Sequence, residues 1–150
     1  MKTSILDVAS YILEKCGSMT AMKLEKLCYY SQAWSLVWNG SPLFEENFEA
    51  WANGPVCPVL FDKHRHMFTV SKEDIPGNSL NLSSEQKETI DAVIEAYGKL
   101  DAYQLSTLTH NEAPWVNARG DTPSGARSST VITLEAMEEY YASLVDVAQA

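Results

Sequence analysis

The 150-residue sequence is poor in basic residues. It has 11 Lys and Arg against 20 Asp and Glu, which gives a formal net charge of −9. Proteins that bind nucleic acid or an anionic membrane surface through phosphate groups need the opposite balance. We therefore expect neither nucleic acid nor a membrane as a partner, and this charge suits a basic protein partner better.

The sequence also lacks a secretion signal and a long apolar run. The apolar stretch of residues 5–13 is interrupted by Asp7 and Ser10. No run approaches the roughly 20 residues that a membrane-spanning helix needs. This pattern predicts a protein of the cytoplasm.

Cysteine is scarce, with three residues and no Cys-x-x-Cys pair. An odd number at irregular spacing predicts free thiols rather than a disulfide framework. Cys16 and Cys28 lie on the apolar stripes of predicted helices, and Cys57 adjoins a predicted helix start. We expect all three thiols to be buried and unreactive.

The sequence contains enough apolar residues to form a hydrophobic core, since 45% of its residues are hydrophobic and 10% are aromatic. That is enough for a single domain of residues 1–150 and too little for two. Apolar spacing, caps and turn residues predict helices over 4–16, 20–39, 58–66 and 83–98, one from Asp101 that Pro114 limits, and one from 133. Strand-like segments are Leu43–Phe44, 48–51 and 68–70, followed in two cases by turn or loop residues at 53–55 and 76–79.

These elements predict a mainly α (α+β) fold. We expect a compact bundle of about five to six helices, with a small antiparallel β-sheet inserted after the second helix. Residues 120–131 are rich in Gly, Ser and Thr. This composition predicts a flexible surface loop.

The most enzyme-like string is His110-Asn111-Glu112. In zinc nucleobase deaminases, a His-x-Glu string supplies one metal ligand and the residue that moves protons. Those enzymes also need a downstream pair of cysteines, and no cysteine follows Cys57. The alternative is a polar network that fixes the end of a helix against a turn at Pro114-Trp115.

A metal site at Cys57, His64 and His66 is a second possibility. Two His residues two positions apart on a helix point away from each other. A Cys and a His seven apart can share a face, but a structural zinc site needs four ligands. The alternative is a solvated His-Arg-His patch beside a buried Cys57.

Several aromatic residues are candidates for a binding surface. Tyr30, Trp51 and Trp115 lie beside turn or polar residues rather than inside apolar runs. Partly exposed Trp and Tyr side chains often carry the binding energy of protein interfaces. The alternative is that each ring packs the small sheet onto the helices.

Three strings in order carry a family resemblance. They are residues 22–34 (MKLEKLCYYSQAW), the set Pro42-Leu43-Phe44, Phe48–Trp51 and Gly54-Pro55-Val56, and residues 105–112 (LSTLTHNE) followed by Pro114-Trp115 and Ala118-Arg119. The sequence resembles the Panacea domain family, also called SocA-like or GepA-like phage-associated proteins. The resemblance covers roughly residues 20–120.

The resemblance implies an antitoxin of a toxin-antitoxin pair, carried on a prophage or another mobile element. Such a protein neutralises its toxin, often the product of the adjacent gene, by direct protein binding. The alternative within the family is a proteolytic adaptor that delivers the toxin to a bacterial protease. Neither role is enzymatic, and we expect no cofactor and no metal.

The motif residues divide into two groups. Gly54 and Pro55 are expected to set a turn. His110, Glu112, Trp115 and Arg119 are expected to form an internal polar latch that holds the turn after a helix, or alternatively to contact the partner. A third alternative is an enzyme of unrecognised type built on His110, Glu112 and Arg119, since Arg can bind a phosphate or carboxylate.

Overall fold

The computed structural model of this chain describes the backbone of residues 2–149 and the side chains of residues 2–145. Its helices are α1 (Ile5–Cys16), α2 (Ala21–Asn39), α3 (Pro58–His64), α4 (Ser84–Tyr97), α5 (Ala102–His110), α6 (Ala113–Arg119) and α7 (Leu134–Gln149). Its strands are β1 (Met19–Thr20), β2 (Phe48–Trp51), β3 (Gly54–Val56), β4 (Thr69–Val70) and β5 (Val131–Ile132). The predicted mainly α, α+β fold class is confirmed.

Helix starts follow the capping residues of the sequence. The Thr20 side chain accepts a hydrogen bond from the backbone N–H of Lys23 at the start of α2. Ser83 and Gln86 form the predicted capping box of α4, in which each side chain bonds the other residue's backbone N–H. These bonds satisfy N–H groups that have no partner within the helix, so a short polar signal fixes where each helix begins.

Helix α2 lies at the centre of the molecule. It packs against α1, α4, α5, α7 and strand β3. Its buried residues lie on every face, and even Glu25 and Lys26 are 0% exposed. Over residues 24–33 the helix has no solvent face, so the polar residues there need partners inside the protein.

The strands form two small antiparallel sheets. In the three-stranded sheet, β2 lies between β3 and β5, with Ala50 opposite Pro55 and Glu49 opposite Val131. In the other sheet, β1 pairs with β4. The predicted insertion after the second helix therefore holds β2 and β3, while the third strand comes from much later in the chain.

One strand expectation and one turn expectation are wrong. Leu43 and Phe44 are buried but not in a strand, because the Gln32 side chain accepts from the N–H of Leu43 and donates to the C=O of Phe44. Their backbone groups are thus satisfied without a neighbouring strand. Gly54 and Pro55 do not form the turn itself, which lies at residues 52–53: both belong to the edge strand β3, where the missing N–H of Pro55 is tolerated.

The helix boundaries differ from expectation at two points. Pro114 does not mark a turn: it lies in the first turn of α6, where a proline costs no hydrogen bond. This accounts for one helix more than the sequence predicts. Helix α3 ends at His64 rather than at residue 66, and His66 takes a left-handed backbone with φ of 70°.

The cysteines also differ in part. Cys28 and Cys57 are buried free thiols, as expected, and burial raises the pKa of Cys57 to about 12. Cys16 is exposed, contrary to expectation. It lies in the last turn of α1, past the buried part of that helix.

None of the helices between residues 2 and 149 is both long and apolar enough to cross a membrane.

Candidate protein-interaction site

A groove of about 780 Å³ opens between the end of β2 and the irregular segment of residues 122–130. We call it the β2 groove. One wall is Glu49 and residues 51–53, the other is Thr122 and residues 127–130, and Met22 of α2 closes it. This volume is in the range of clefts that hold ligands or short peptide segments.

The first wall forms because successive side chains of β2 point alternately into the core and towards the groove. Phe48 and Ala50 point into the core, while Glu49 and Trp51 lie half-exposed on the other face. The Glu49 carboxylate oxygen Oε1 accepts a hydrogen bond from the indole N–H of Trp51 at 2.8 Å. The Trp51 ring also packs edge-on against Phe61 of α3, with centroids 4.8 Å apart. Both contacts hold the indole at the groove.

The second wall is held by Arg119, which is only 5% exposed. Its Nη1 donates to the C=O of Ala50 in β2 at 3.0 Å. Its Nη2 donates to the C=O of Pro123 at 2.9 Å and of Ala126 at 2.7 Å. One buried guanidinium therefore ties the sheet to the segment across the groove, a geometry that the planar fork of arginine allows.

Trp115 and His110 continue this arrangement beneath the groove. The Trp115 indole N–H donates to the C=O of Trp51 at 2.8 Å. The Trp115 ring stacks on the His110 ring, with centroids 4.0 Å apart, and the Arg119 guanidinium lies 5.0 Å from the Trp115 ring centroid. His110, Trp115 and Arg119 therefore form one stack, which holds β2, α6 and the segment after α6 together.

Glu112 is held by different partners. Its Oε1 accepts hydrogen bonds from the hydroxyl groups of Tyr30 at 2.7 Å and Tyr141 at 2.6 Å. The Tyr141 hydroxyl also lies 3.2 Å from that of Tyr29. Burial raises the pKa of Glu112, and the two tyrosine hydrogen bonds act against this. Glu112 joins α2 and α7 and shares no hydrogen bond with His110 or Arg119.

The expected latch is thus two separate structures rather than one. His110 and Arg119 flank Trp115, while Glu112 belongs to the tyrosine cluster. The three residues of the hypothetical enzyme do not meet around a common point. Whether any of them contacts a partner stays a prediction.

The three aromatic residues proposed as binding anchors differ in their exposure to solvent. Trp51 and Trp115 are partly exposed, and Trp51 lines the β2 groove. Tyr30 is 0% exposed, so the expectation of an exposed ring is wrong there. Tyr30 instead stacks on Tyr97 at a centroid distance of 4.1 Å, because α4 covers this side of α2.

Lys26 is a buried polar residue that the single apolar stripe predicted for α2 does not include. It is fully buried, and its Nζ has no hydrogen-bond partner among the described residues. Burial lowers the pKa of Lys26 to about 8, and the nearby Glu25 partly opposes this. His110 shares this environment: its Nε2 also lacks a partner among residues 2–145.

The pKa of His110 is lowered, first by burial and then by the positive charge of Lys26. A backbone hydrogen bond at Ala52 acts in the opposite direction. The shift favours the uncharged imidazole, which stacks on Trp115 and adds no second positive charge near Lys26.

Glu25 completes the polar interior of α2. Its Oε1 accepts from the backbone N–H of Cys57 at 2.8 Å, and its Oε2 lies 2.6 Å from Nε2 of His64. His64 is buried, so the expected solvated patch does not form there. Within the described residues no three His, Cys, Asp or Glu side chains converge as metal ligands. His64 and Cys57 instead anchor α3 to α2.

A signal for these buried polar residues is present in the sequence. Apolar and aromatic residues occur on every face of residues 24–36, which is typical of a helix buried on all sides. In such a helix the charged residues are buried as well. One apolar stripe along α2 does not predict that Glu25 and Lys26 are buried. The presence of apolar residues on all sides of the helix does predict it.

Comparison with known families decides the relationship. The sequence model of the family described as "Antitoxin SocA-like, Panacea domain" matches residues 24–116, more than half of the chain. The chain belongs to the Panacea domain family. The resemblance drawn from the three sequence strings is confirmed.

One curated relative is Antitoxin SocA of Caulobacter vibrioides (strain NA1000 / CB15N). It is 29% identical over 124 residues, which cover 72% of this chain and 66% of the relative. The chain therefore aligns with slightly less than two thirds of that protein's length. No solved structure matches the chain.

The Panacea match covers only part of the candidate site. It includes most of α2, the first wall of the β2 groove, His110 and Trp115. It ends before Arg119 and before the second wall at residues 122–130. The groove is thus built jointly by the Panacea region and by the segment that follows it.

Proposed function

We propose that this protein is an antitoxin that neutralises a cognate protein toxin by direct binding. Membership of the Antitoxin SocA-like, Panacea domain family carries this proposal. The similarity to Antitoxin SocA supports it. The toxin is a basic protein encoded in the adjacent gene, on a prophage or another mobile element, and both proteins act in the cytoplasm.

The charge of the chain favours such a partner. A net charge of −9 attracts a basic protein from a distance and speeds its association at low salt. The β2 groove and its half-exposed Trp51 supply a concave surface with an aromatic anchor. Residues of this kind dominate the binding energy of many interfaces.

The first test is a tagged pull-down from cells that carry the native gene neighbourhood. We expect one small protein, encoded next to this gene, to co-purify in a fixed ratio. Expression of that protein alone should arrest growth, and co-expression should restore it. If no neighbouring product is toxic, or if this protein does not rescue growth, the proposal fails.

The same strains separate direct neutralisation from delivery to a protease. Direct neutralisation predicts that the half-life of the toxin is unchanged or longer when this protein is present. A toxin that disappears faster, and only in cells with an intact protease, would instead assign the adaptor role. Either outcome leaves an antitoxin, and the half-life decides its mechanism.

A further inference from the structure

The second wall of the β2 groove carries unpaired backbone. Residues 127–130 lead directly into β5, and the C=O of Thr130 accepts a hydrogen bond from the N–H of Ala50. Before that point the segment leaves β2. Within the described part of the chain, no hydrogen bond uses the backbone N–H or C=O of residues 127–129.

Unpaired backbone next to a strand is a template for a further strand. An extended segment that enters such a site gains main-chain hydrogen bonds, while pockets for its side chains supply specificity. The walls of the β2 groove leave about 780 Å³ between them. This volume is large enough for a few residues of extended chain, which can bond to the unpaired backbone of residues 127–129.

The first wall favours a positively charged side chain. Glu49 and Trp51 lie side by side, joined by the hydrogen bond to Oε1. No hydrogen bond or salt bridge among the described residues uses the second carboxylate oxygen of Glu49. A carboxylate beside an indole ring suits a Lys or Arg, through a charged hydrogen bond and a cation–π contact.

The opposite wall carries the side chain of Arg127, which lines the groove and is partly accessible to solvent. It can donate to backbone carbonyl groups of a bound segment, because it has no side-chain acceptor among the described residues. The buried Arg119 holds both walls in place through its bonds to Ala50, Pro123 and Ala126. The groove is therefore formed before binding, which lowers the entropic cost of binding.

From these observations we infer that the β2 groove binds an extended, basic segment of the toxin, with a Lys or Arg between Glu49 and Trp51. This inference rests on the proposed antitoxin function and names the surface that performs it. The segment adds as a short strand beside residues 127–129. The overall negative charge of the protein steers the basic segment towards the groove.

A second exposed surface gives the competing location. In the turn after α3, Phe68 is 80% exposed and Met67 is 41% exposed. Exposed apolar side chains of this size also occur at interfaces. Met67 and Phe68 do not line the β2 groove, so this turn serves as the comparison surface in the test.

The first experiment uses peptides and needs no knowledge of the toxin. Phage-displayed random peptides are selected on the immobilised protein, and the affinity of the enriched peptides is measured by fluorescence anisotropy. We expect sequences with Lys or Arg, and Kd values that rise with salt. Replacement of the peptide's backbone N–H groups by N-methyl groups should weaken binding by about tenfold or more if strand addition contributes as expected.

Charge reversal in the groove provides the matched comparison. Glu49→Arg should raise the Kd of basic peptides by about tenfold or more, because it places like charges together. Glu95→Arg changes the net charge equally at an exposed position of α4 outside the groove, and should change Kd by less than about twofold. Equal effects of the two variants, or enrichment of peptides without Lys or Arg, would overturn the inference.

The toxin experiment separates this inference from the proposed function. If Glu49→Arg abolishes growth rescue while Glu95→Arg and Phe68→Ser retain it, both the antitoxin function and the groove inference are supported. If rescue survives Glu49→Arg and is lost with Phe68→Ser, the contact surface is the turn after α3 and the groove inference is wrong. If no neighbouring product is toxic, the proposed antitoxin function is wrong. The groove inference is then wrong as well in naming a toxin as the bound partner, even if basic peptides bind the groove. Circular dichroism and thermal unfolding confirm that each variant is folded.

Discussion

Gly54 lies directly against the buried side chain of Lys26. A Cβ atom at position 54 would stand 2.5 Å from Cε of Lys26 and 2.9 Å from Oγ1 of Thr109. The backbone of Gly54 also has a φ of 119°, where side chains cause strain. This glycine is therefore needed both for the conformation at the start of β3 and for the close approach of α2.

We expect Gly54→Ala to destabilise the protein by about 2–4 kcal/mol, which combines backbone strain with the cost of displacing the buried side chains of Lys26 and Thr109. Gly40→Ala is the matched control. Gly40 also has a positive φ, of 71°, but a Cβ atom there would have no other atom within 4 Å. It should cost only about 1–2 kcal/mol. Urea unfolding of both variants measures the difference, and equal losses would show that the contact with Lys26 is unimportant.

Lys26 itself is predicted to reduce stability at neutral pH. Its pKa falls from 10.5 to about 8 in the folded protein, which corresponds to about 3 kcal/mol at 1.36 kcal/mol per unit. Lys26→Met keeps an unbranched side chain and removes the buried charge. We expect this variant to be more stable than the natural sequence at pH 7, by up to about 3 kcal/mol.

The difference should depend on pH in a defined direction. Between pH 8 and 10.5 the unfolded Lys26 holds a proton that the folded protein has released, so the stability of the natural sequence rises with pH relative to the variant. The advantage of Lys26→Met should therefore shrink across this window. Urea unfolding at pH 7, 9 and 10.5 tests this, and a variant that is less stable at pH 7 would contradict it.

Tyr141→Phe tests the tyrosine cluster. It removes one of the two hydroxyl donors to the buried Glu112, and we expect a loss of about 1–3 kcal/mol because a buried carboxyl group loses a hydrogen-bond partner. Tyr140→Phe is the neighbouring control, since the Tyr140 hydroxyl makes no hydrogen bond to Glu112 among the described residues. It should change stability by less than about 0.5 kcal/mol. Similar losses for both would mean that ring packing, rather than the hydroxyl, dominates.

Arg119→Lys tests the link across the β2 groove. A lysine cannot reproduce donation in two directions, to Ala50 on one side and to Pro123 and Ala126 on the other. We expect faster amide hydrogen exchange in residues 122–130 and a loss of about 1–3 kcal/mol in unfolding free energy. Arg127→Lys, on the same segment, should change neither. Unaltered exchange in Arg119→Lys would show that other contacts hold this wall.

Local signals explain what the sequence can predict. Thr20, Ser83 and Asp101 cap their helices as expected, because each capping bond forms between residues three apart. Pro114 is ambiguous in the sequence, since a proline is compatible both with the end of one helix and with the first turn of the next. Only the packing of α6 against β2 and α7 distinguishes these alternatives.

The candidate site is less predictable, since its contacts join distant residues. His110, Trp115 and Arg119 interact as expected, but their main attachments are to the backbone of β2 and of residues 123–126. Glu112 is their neighbour in the sequence and begins α6, but its side chain bonds to other parts of the chain. Its actual partners, Tyr30 and Tyr141, lie in α2 and α7, far from each other along the chain, and have no local signal.

The position of Tyr141 has a consequence for the order of synthesis. Helix α2 is made early, but the hydroxyl that completes the hydrogen bonds of Glu112 belongs to α7. A nascent chain that has passed Trp115 already contains α4, but it still lacks Tyr141, which packs edge-on against Tyr29 and Tyr30. Domains fold as units once their sequence is available. Translation of α7 is therefore the step that completes this core, and a message cut short before it yields a chain in which the side of Tyr29 and Tyr30 that faces Tyr141 stays uncovered.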